Sequence, residues 1–135
     1  MSLETFERLC SETVRFDCTS LGLQTDQTVK PAWTHEAYQV TIARGDESYS
    51  TTYRQGTGHT HAPTISQVLS CLLSDARAAN EHSTFESFCS EFGYDEDSRT
   101  AERVYRACQE CSAALRRILG EDYDRLDAAA IEAGV

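Results

Sequence analysis

The sequence predicts an α+β fold in which a small antiparallel sheet of about three strands packs against a C-terminal helical bundle. Three observations carry this expectation. From Thr64 onward apolar residues recur at spacings of three and four, which lines them along one face of an α-helix. Between Val14 and Tyr53 they alternate with polar residues, the spacing of strands with one buried face. The two regimes meet at a Gly- and His-bearing loop, Gln55 to Pro63, so strands are followed by helices rather than interleaved with them. A length of 135 residues suits a single domain over 1–135, with the first helix and sheet in 1–63 and the helical region in 64–135.

Taken in order, Ser2 can cap a first helix in which Phe6, Leu9 and Cys10 share a face. Val14, Phe16 and Cys18 then alternate with Arg15, Asp17 and Thr19, which predicts a strand from Val14 to Leu23. Gln24 to Thr34 is polar and contains Pro31, so it reads as a connecting loop. Tyr38, Val40 and Ile42 resume the alternation, Arg44-Gly45-Asp46-Glu47 supplies a turn, and Tyr49, Thr51 and Tyr53 form the return strand of a hairpin.

Thr64 with Gln67 makes a capping box ahead of Ile65, Val68, Leu69, Leu72, Leu73 and Ala76, a stripe wide enough to centre a core. Ser83 with Glu86 repeats the box for a short helix carrying Phe85, Phe88, Cys89 and Phe92, ended by Gly93. The longest periodic stretch runs from Phe92 to Leu119, with Ala101, Val104, Tyr105, Cys108, Cys111, Leu115, Ile118 and Leu119 on one stripe. Asp97 or Ser98 can cap it, and Arg116 and Arg117 suit its negative end before Gly120. Tyr123, Leu126, Ala130 and Ile131 mark a weaker terminal helix.

The formal charge is −10, from 12 basic against 22 acidic side chains. Residues 64–135 hold 7 basic and 14 acidic groups, so most of the excess lies in the helical region. Such a field repels nucleic acid and favours cationic partners, and no direct nucleic-acid contact is expected. No apolar run approaches the ~18 residues that span a bilayer, and the N-terminal MSLETFERLC is charged and amphipathic, so neither a membrane anchor nor a signal segment is expected. Of the six cysteines, Cys71, Cys89, Cys108 and Cys111 fall on apolar helix faces, where thiols act as small hydrophobes and stay reduced.

Constellations with catalytic or metal chemistry are weak. Cys108 and Cys111 have CxxC spacing, but deep inside a helix rather than at the N-terminus where a thiolate is stabilised. His59 and His61 could face one way from an extended loop, yet two imidazoles are too few for a site unless His35 or His82 supplies a third ligand. Gly56-Thr57-Gly58 lacks the Gly-Lys-Ser/Thr of a phosphate loop, and Asp95-Glu96-Asp97 lacks the glycine and distal glutamate of a calcium loop. No catalytic residue, metal site or cofactor is expected, and the chain reads as a binding protein rather than an enzyme.

Pro63-Thr64 leading into Val68-Leu69 and Leu72-Leu73-Ser74-Asp75-Ala76, then Phe85-Glu86-Ser87-Phe88-Cys89, then Gly93-Tyr94-Asp95-Glu96-Asp97-Ser98-Arg99 with Ala101-Glu102, Tyr105 and Cys108, carry a resemblance. In wording and order this stretch, roughly residues 37 to 120, resembles small phage and prophage proteins, and GYDxDSRxAExxY is its most specific part. The resemblance implies a viral origin and a place in the host cytoplasm. As a class, small acidic phage proteins without catalytic motifs resemble inhibitors of bacterial defence such as anti-CRISPR proteins. The implied partner is a CRISPR-Cas subunit with an arginine- and lysine-rich nucleic-acid channel, met by exposed acids in two clusters. Asp95, Glu96 and Asp97 form one, Glu121, Asp122, Asp124 and Asp127 the other, and about 36 Å of helix separates them at about 1.5 Å per residue. The alternative expectation is a virion or host-takeover interaction protein that forms a homodimer through an apolar face or a sheet edge.

Overall fold

A computed structural model of the chain describes residues 1–28 and 30–134. Helix α1, Leu3–Thr13, begins where the Ser2 hydroxyl accepts a hydrogen bond from the Thr5 amide at 3.1 Å, and it buries Phe6 and Cys10. Three antiparallel strands follow in the spatial order β1-β2-β3, namely β1 (Arg15–Asp26), β2 (Trp33–Arg44) and β3 (Glu47–Gly56). The β2–β3 hairpin closes through a two-residue turn in which Gly45 holds a positive φ of +61°, the conformation that such turns require.

The connection expected over Gln24 to Thr34 is shorter than its polarity suggests. Gln24, Thr25 and Asp26 pair with His35, Thr34 and Trp33, and the Thr25 and Thr34 hydroxyls bond to each other at 3.0 Å. Strand pairing is carried by the backbone, so a polar segment that buries no face can still extend a ladder. Pro31 lies beyond the ladder, and Val29 within the expected loop lies outside the described residues.

Helices cover one face of the sheet. In α2, Ile65–Glu81, the Thr64 side chain and the Gln67 side chain each bond to the other's backbone amide, completing the expected capping box. The α2 stripe packs against α4, Arg99–Leu119, and α4 lies on β3 and β2. Val40, Ile42, Leu69, Leu73, Cys111, Leu115 and Leu119 meet in the resulting core. After a 3₁₀ turn at Gly120–Asp122, α5, Tyr123–Ala133, folds back to close the core against α1 and α2.

Several expectations need correction. The short helix α3, Phe85–Phe92, is capped by Thr84, whose hydroxyl accepts from the Ser87 amide at 3.2 Å, and not by Ser83. As expected from the caps, Gly93 at φ +72° ends α3 and the long helix starts at Arg99, so the first residues of the Phe92–Leu119 stretch form a turn. Of the two expected caps it is Ser98 that serves, accepting from the Ala101 amide, while the Asp97 amide donates to Asp95 Oδ1 at 3.0 Å. Val104 and Phe85 are only half-buried, Cys71, Phe92 and Ile131 are exposed, and Ala129 takes the buried place on α5. Each of these sits at the margin of its stripe, where the neighbouring element rather than the period decides burial.

Candidate functional site

The acids at the two ends of α4 differ in what holds them. Asp95, Glu96 and Asp97 are exposed in the α3–α4 turn, and none forms an ion pair among the described residues. The Asp95 carboxylate accepts from the Asp97 amide and its carbonyl from the Ser98 amide, so the turn is held in one shape and presents three carboxylates to water. At the other end, Glu121 and Asp124 are exposed, but Asp122 pairs with Arg44 at 2.9 Å and Arg125 at 3.5 Å. Asp127 pairs with Arg77 at 2.6 Å. Asp122 and Asp127 therefore join β2 and α2 to the C-terminal helices. With 21 residues in α4, the two acidic ends stand about 30 Å apart at about 1.5 Å per residue.

The remaining candidates separate in space or turn inward. His59 and His61 are exposed in the loop before α2, His82 follows α2 with Nδ1 at 2.9 Å from Ser87 Oγ, and His35 is buried on β2 with Trp33 stacked on its ring at 4.2 Å. No cluster of three or more His, Cys, Asp or Glu side chains suited to a metal ion occurs among the described residues. Cys108 and Cys111 face the core, where burial raises their thiols to about 11 and about 12, and the Cys111 thiol donates to the Leu72 carbonyl at 3.3 Å. Gly56 ends β3, and the first turn of α2 offers little to a phosphate because the Glu7 carboxylate already accepts from the Ser66 amide at 3.1 Å.

A groove of about 510 Å³ between α2, α3 and the first turns of α4 did not emerge from motif reading. Asp75 and Glu81 on α2 and Glu91 on α3 line it, together with Phe92 and Tyr94, which are 50% and 37% exposed. Behind them Phe88 stacks on Tyr94 at 6.0 Å between ring centroids and meets Phe92 at 4.9 Å and Tyr105 at 4.9 Å. Arg77 also lines the groove, with its charge directed to Asp127. Asp75 lies on the exposed flank of α2 and makes no hydrogen bond or ion pair among the described residues, and the groove desolvates its carboxyl enough to raise its pKa. The sequence signal for this site was the Glu91-Phe92-Gly93-Tyr94 run, where two aromatic residues flank a helix-ending glycine.

No helix of the described residues is long and apolar enough to cross a membrane. Compared with protein-family models, curated proteins and solved structures, the chain shows no significant match to any.

Proposed function

We propose that the protein is a phage-encoded inhibitor of a bacterial defence complex, anti-CRISPR-like in action, which works in the host cytoplasm by docking its acidic surface onto a basic protein subunit. The observation that carries this reading is the turn of Asp95, Glu96 and Asp97, three exposed carboxylates that form no ion pair among the described residues. Five of the eleven arginines, Arg44, Arg77, Arg106, Arg117 and Arg125, are held in ion pairs, so the outward field is dominated by acids. Such a field accelerates encounter with a positively charged channel and competes with the nucleic acid that the channel binds. At the other end of α4 only Glu121 and Asp124 remain free for the same role.

The test expresses the protein in a bacterium immunised against a phage and counts plaques. Plaque formation should be restored by the native chain and lost with Asp95→Lys, Glu96→Lys and Asp97→Lys combined, while the purified triple variant unfolds at the native temperature. Full immunity with the native chain, across strains carrying different defence complexes, would sink the inhibitor reading.

A second reading, an interaction protein of the virion or of host takeover that forms a homodimer, is favoured by the free edge of β1. Among the described residues that edge has no strand beside it, and Leu21, Leu23 and Trp33 are 47%, 66% and 43% exposed near its far end. Light scattering after gel filtration distinguishes the readings: a dimer dissociated by Leu23→Lys supports the edge, and a monomer at high concentration removes it.

A further inference from the structure

We propose that the groove between α2, α3 and α4 is the seat of a single arginine side chain carried by the protein partner, its guanidinium lying against Phe92 and Tyr94 and facing the carboxylates of Asp75, Glu81 and Glu91. The inference rests on the reading of an acidic protein that docks on a basic partner, and it names the contact that gives that docking its selectivity.

Four observations converge. The groove is a real concavity of about 510 Å³, which accommodates a long side chain. Its rim holds two aromatic rings that the fold leaves 50% and 37% exposed, although Phe88 and Tyr105 beside them are buried. Phe92 is held in place by edge and tilted contacts with His82 and Phe88 at 5.7 and 4.9 Å, so its outward face is set before a ligand arrives. Three carboxylates line the same space, and none of them forms an ion pair among the described residues. The one cation in the lining, Arg77, is bonded to Asp127 at 2.6 Å on the side of α5, which leaves the groove net negative.

Arginine fits this arrangement better than lysine. A planar guanidinium stacks on an aromatic face while its edge donates paired hydrogen bonds to a carboxylate, whereas an ammonium is a point charge that keeps its water more tightly. The desolvated carboxyl of Asp75 gains most from such a pairing, because it has lost part of its hydration and has no compensating partner. The turn of Asp95, Glu96 and Asp97 follows Tyr94 directly, so one basic segment can place an arginine in the groove and further cations along the turn.

The experiment measures fluorescence anisotropy at low salt with three labelled Gly-Ser peptides of equal length, carrying spaced arginines, lysines or citrullines. The native chain should bind the arginine peptide about tenfold more tightly than the lysine peptide, the order of effect of one desolvated cation–π contact, and should not bind the citrulline peptide. Phe92→Leu, which keeps apolar bulk but removes the ring, and Glu91→Gln should each erase the preference for arginine. Glu91→Gln, fully on the surface, should leave thermal unfolding unchanged, and Phe92→Leu should lower it by a few degrees at most while the chain stays folded at the assay temperature. Equal binding of the arginine and lysine peptides by the native chain, or an arginine preference that survives in both variants, overturns the groove. If groove variants bind as the native chain does while the triple reversal at Asp95, Glu96 and Asp97 abolishes binding, the groove is overturned and acidic docking stands. If the native chain binds no cationic peptide, both fail together.

Discussion

Arg77 on α2 and Asp127 on α5 meet at 2.6 Å between Nη2 and Oδ1, with side chains 30% and 23% exposed. The pair ties the helix at the centre of the core to the last helix of the chain. It also removes Asp127 from the acids available to a partner, because a carboxylate already bonded to a half-buried guanidinium cannot leave it without stranding the charge. The Nε of Arg77 is buried without a partner among the described residues, so the Nη2 bond is its main compensation.

Asp127→Ala is therefore expected to destabilise the fold by about 1 to 3 kcal/mol, the range for losing a charged hydrogen bond that leaves its partner unsatisfied. Asp124→Ala, one turn away and in solvent, should change stability by less than about 0.5 kcal/mol. Urea unfolding of the two variants decides this, and equal midpoints would show that the ion pair is a surface contact of no structural weight.

Leu69 on α2 is fully buried in the core, and Leu69→Ala should cost about 2 to 4 kcal/mol through lost burial and a residual cavity. Val104 shares the stripe of α4 but is only half-buried, so Val104→Ala should cost about 1 kcal/mol or less. Thermal unfolding should rank them in that order, and the reverse ranking would place Val104 in the core.

All six cysteines are unpaired, and burial pushes the thiols of Cys10 and Cys111 up to about 12. Cys71 is the exposed one, on the outer side of α2. Brief treatment of the native protein with iodoacetamide at mild alkaline pH should modify Cys71 first and leave Cys10, Cys89 and Cys111 untouched until denaturant is added. Peptide mass spectrometry reads the order, and early labelling of Cys111 would contradict its placement against the Leu72 carbonyl.

Desolvation raises the Asp75 carboxyl above its ordinary 3.8. Between the ordinary and the raised value the folded chain holds more protons than the unfolded chain, so this group lowers stability as pH rises through that window, and the loss persists at neutral pH. Asp75→Asn should accordingly raise the melting temperature at pH 7, with the gain shrinking as pH falls from the raised value towards 3.8 and gone below it. A variant less stable than the native chain at pH 7 would mean that the ionised carboxylate has a stabilising cation.

Elements whose signals lie within a turn of the chain were legible from residues alone. Ser2, the Thr64–Gln67 pair, Gly93 and Gly120 act on amides and carbonyls three or four positions away, and the turn at Gly45-Asp46 is set by a single backbone angle. The stripes of α2 and α4 were equally plain, because a buried face must repeat with the helix. The exposure of Asp95, Glu96 and Asp97 followed from three consecutive charges at the start of a capped helix.

Tertiary structure decided what depends on partners distant in the chain. Gln24 to Asp26 extend β1 because β2 offers them backbone groups, a preference that no side chain of theirs records. Phe92 continues the apolar stripe of α3 yet faces solvent, since the turn at Gly93 carries the chain away before α4 can cover it. Asp122 and Asp127 read like the free acids beside them until the fold brings Arg44 and Arg77 within reach. Periodicity reports that a face is buried somewhere, whereas charge pairing and grooves depend on which faces meet, and that is set by the packing of the whole chain.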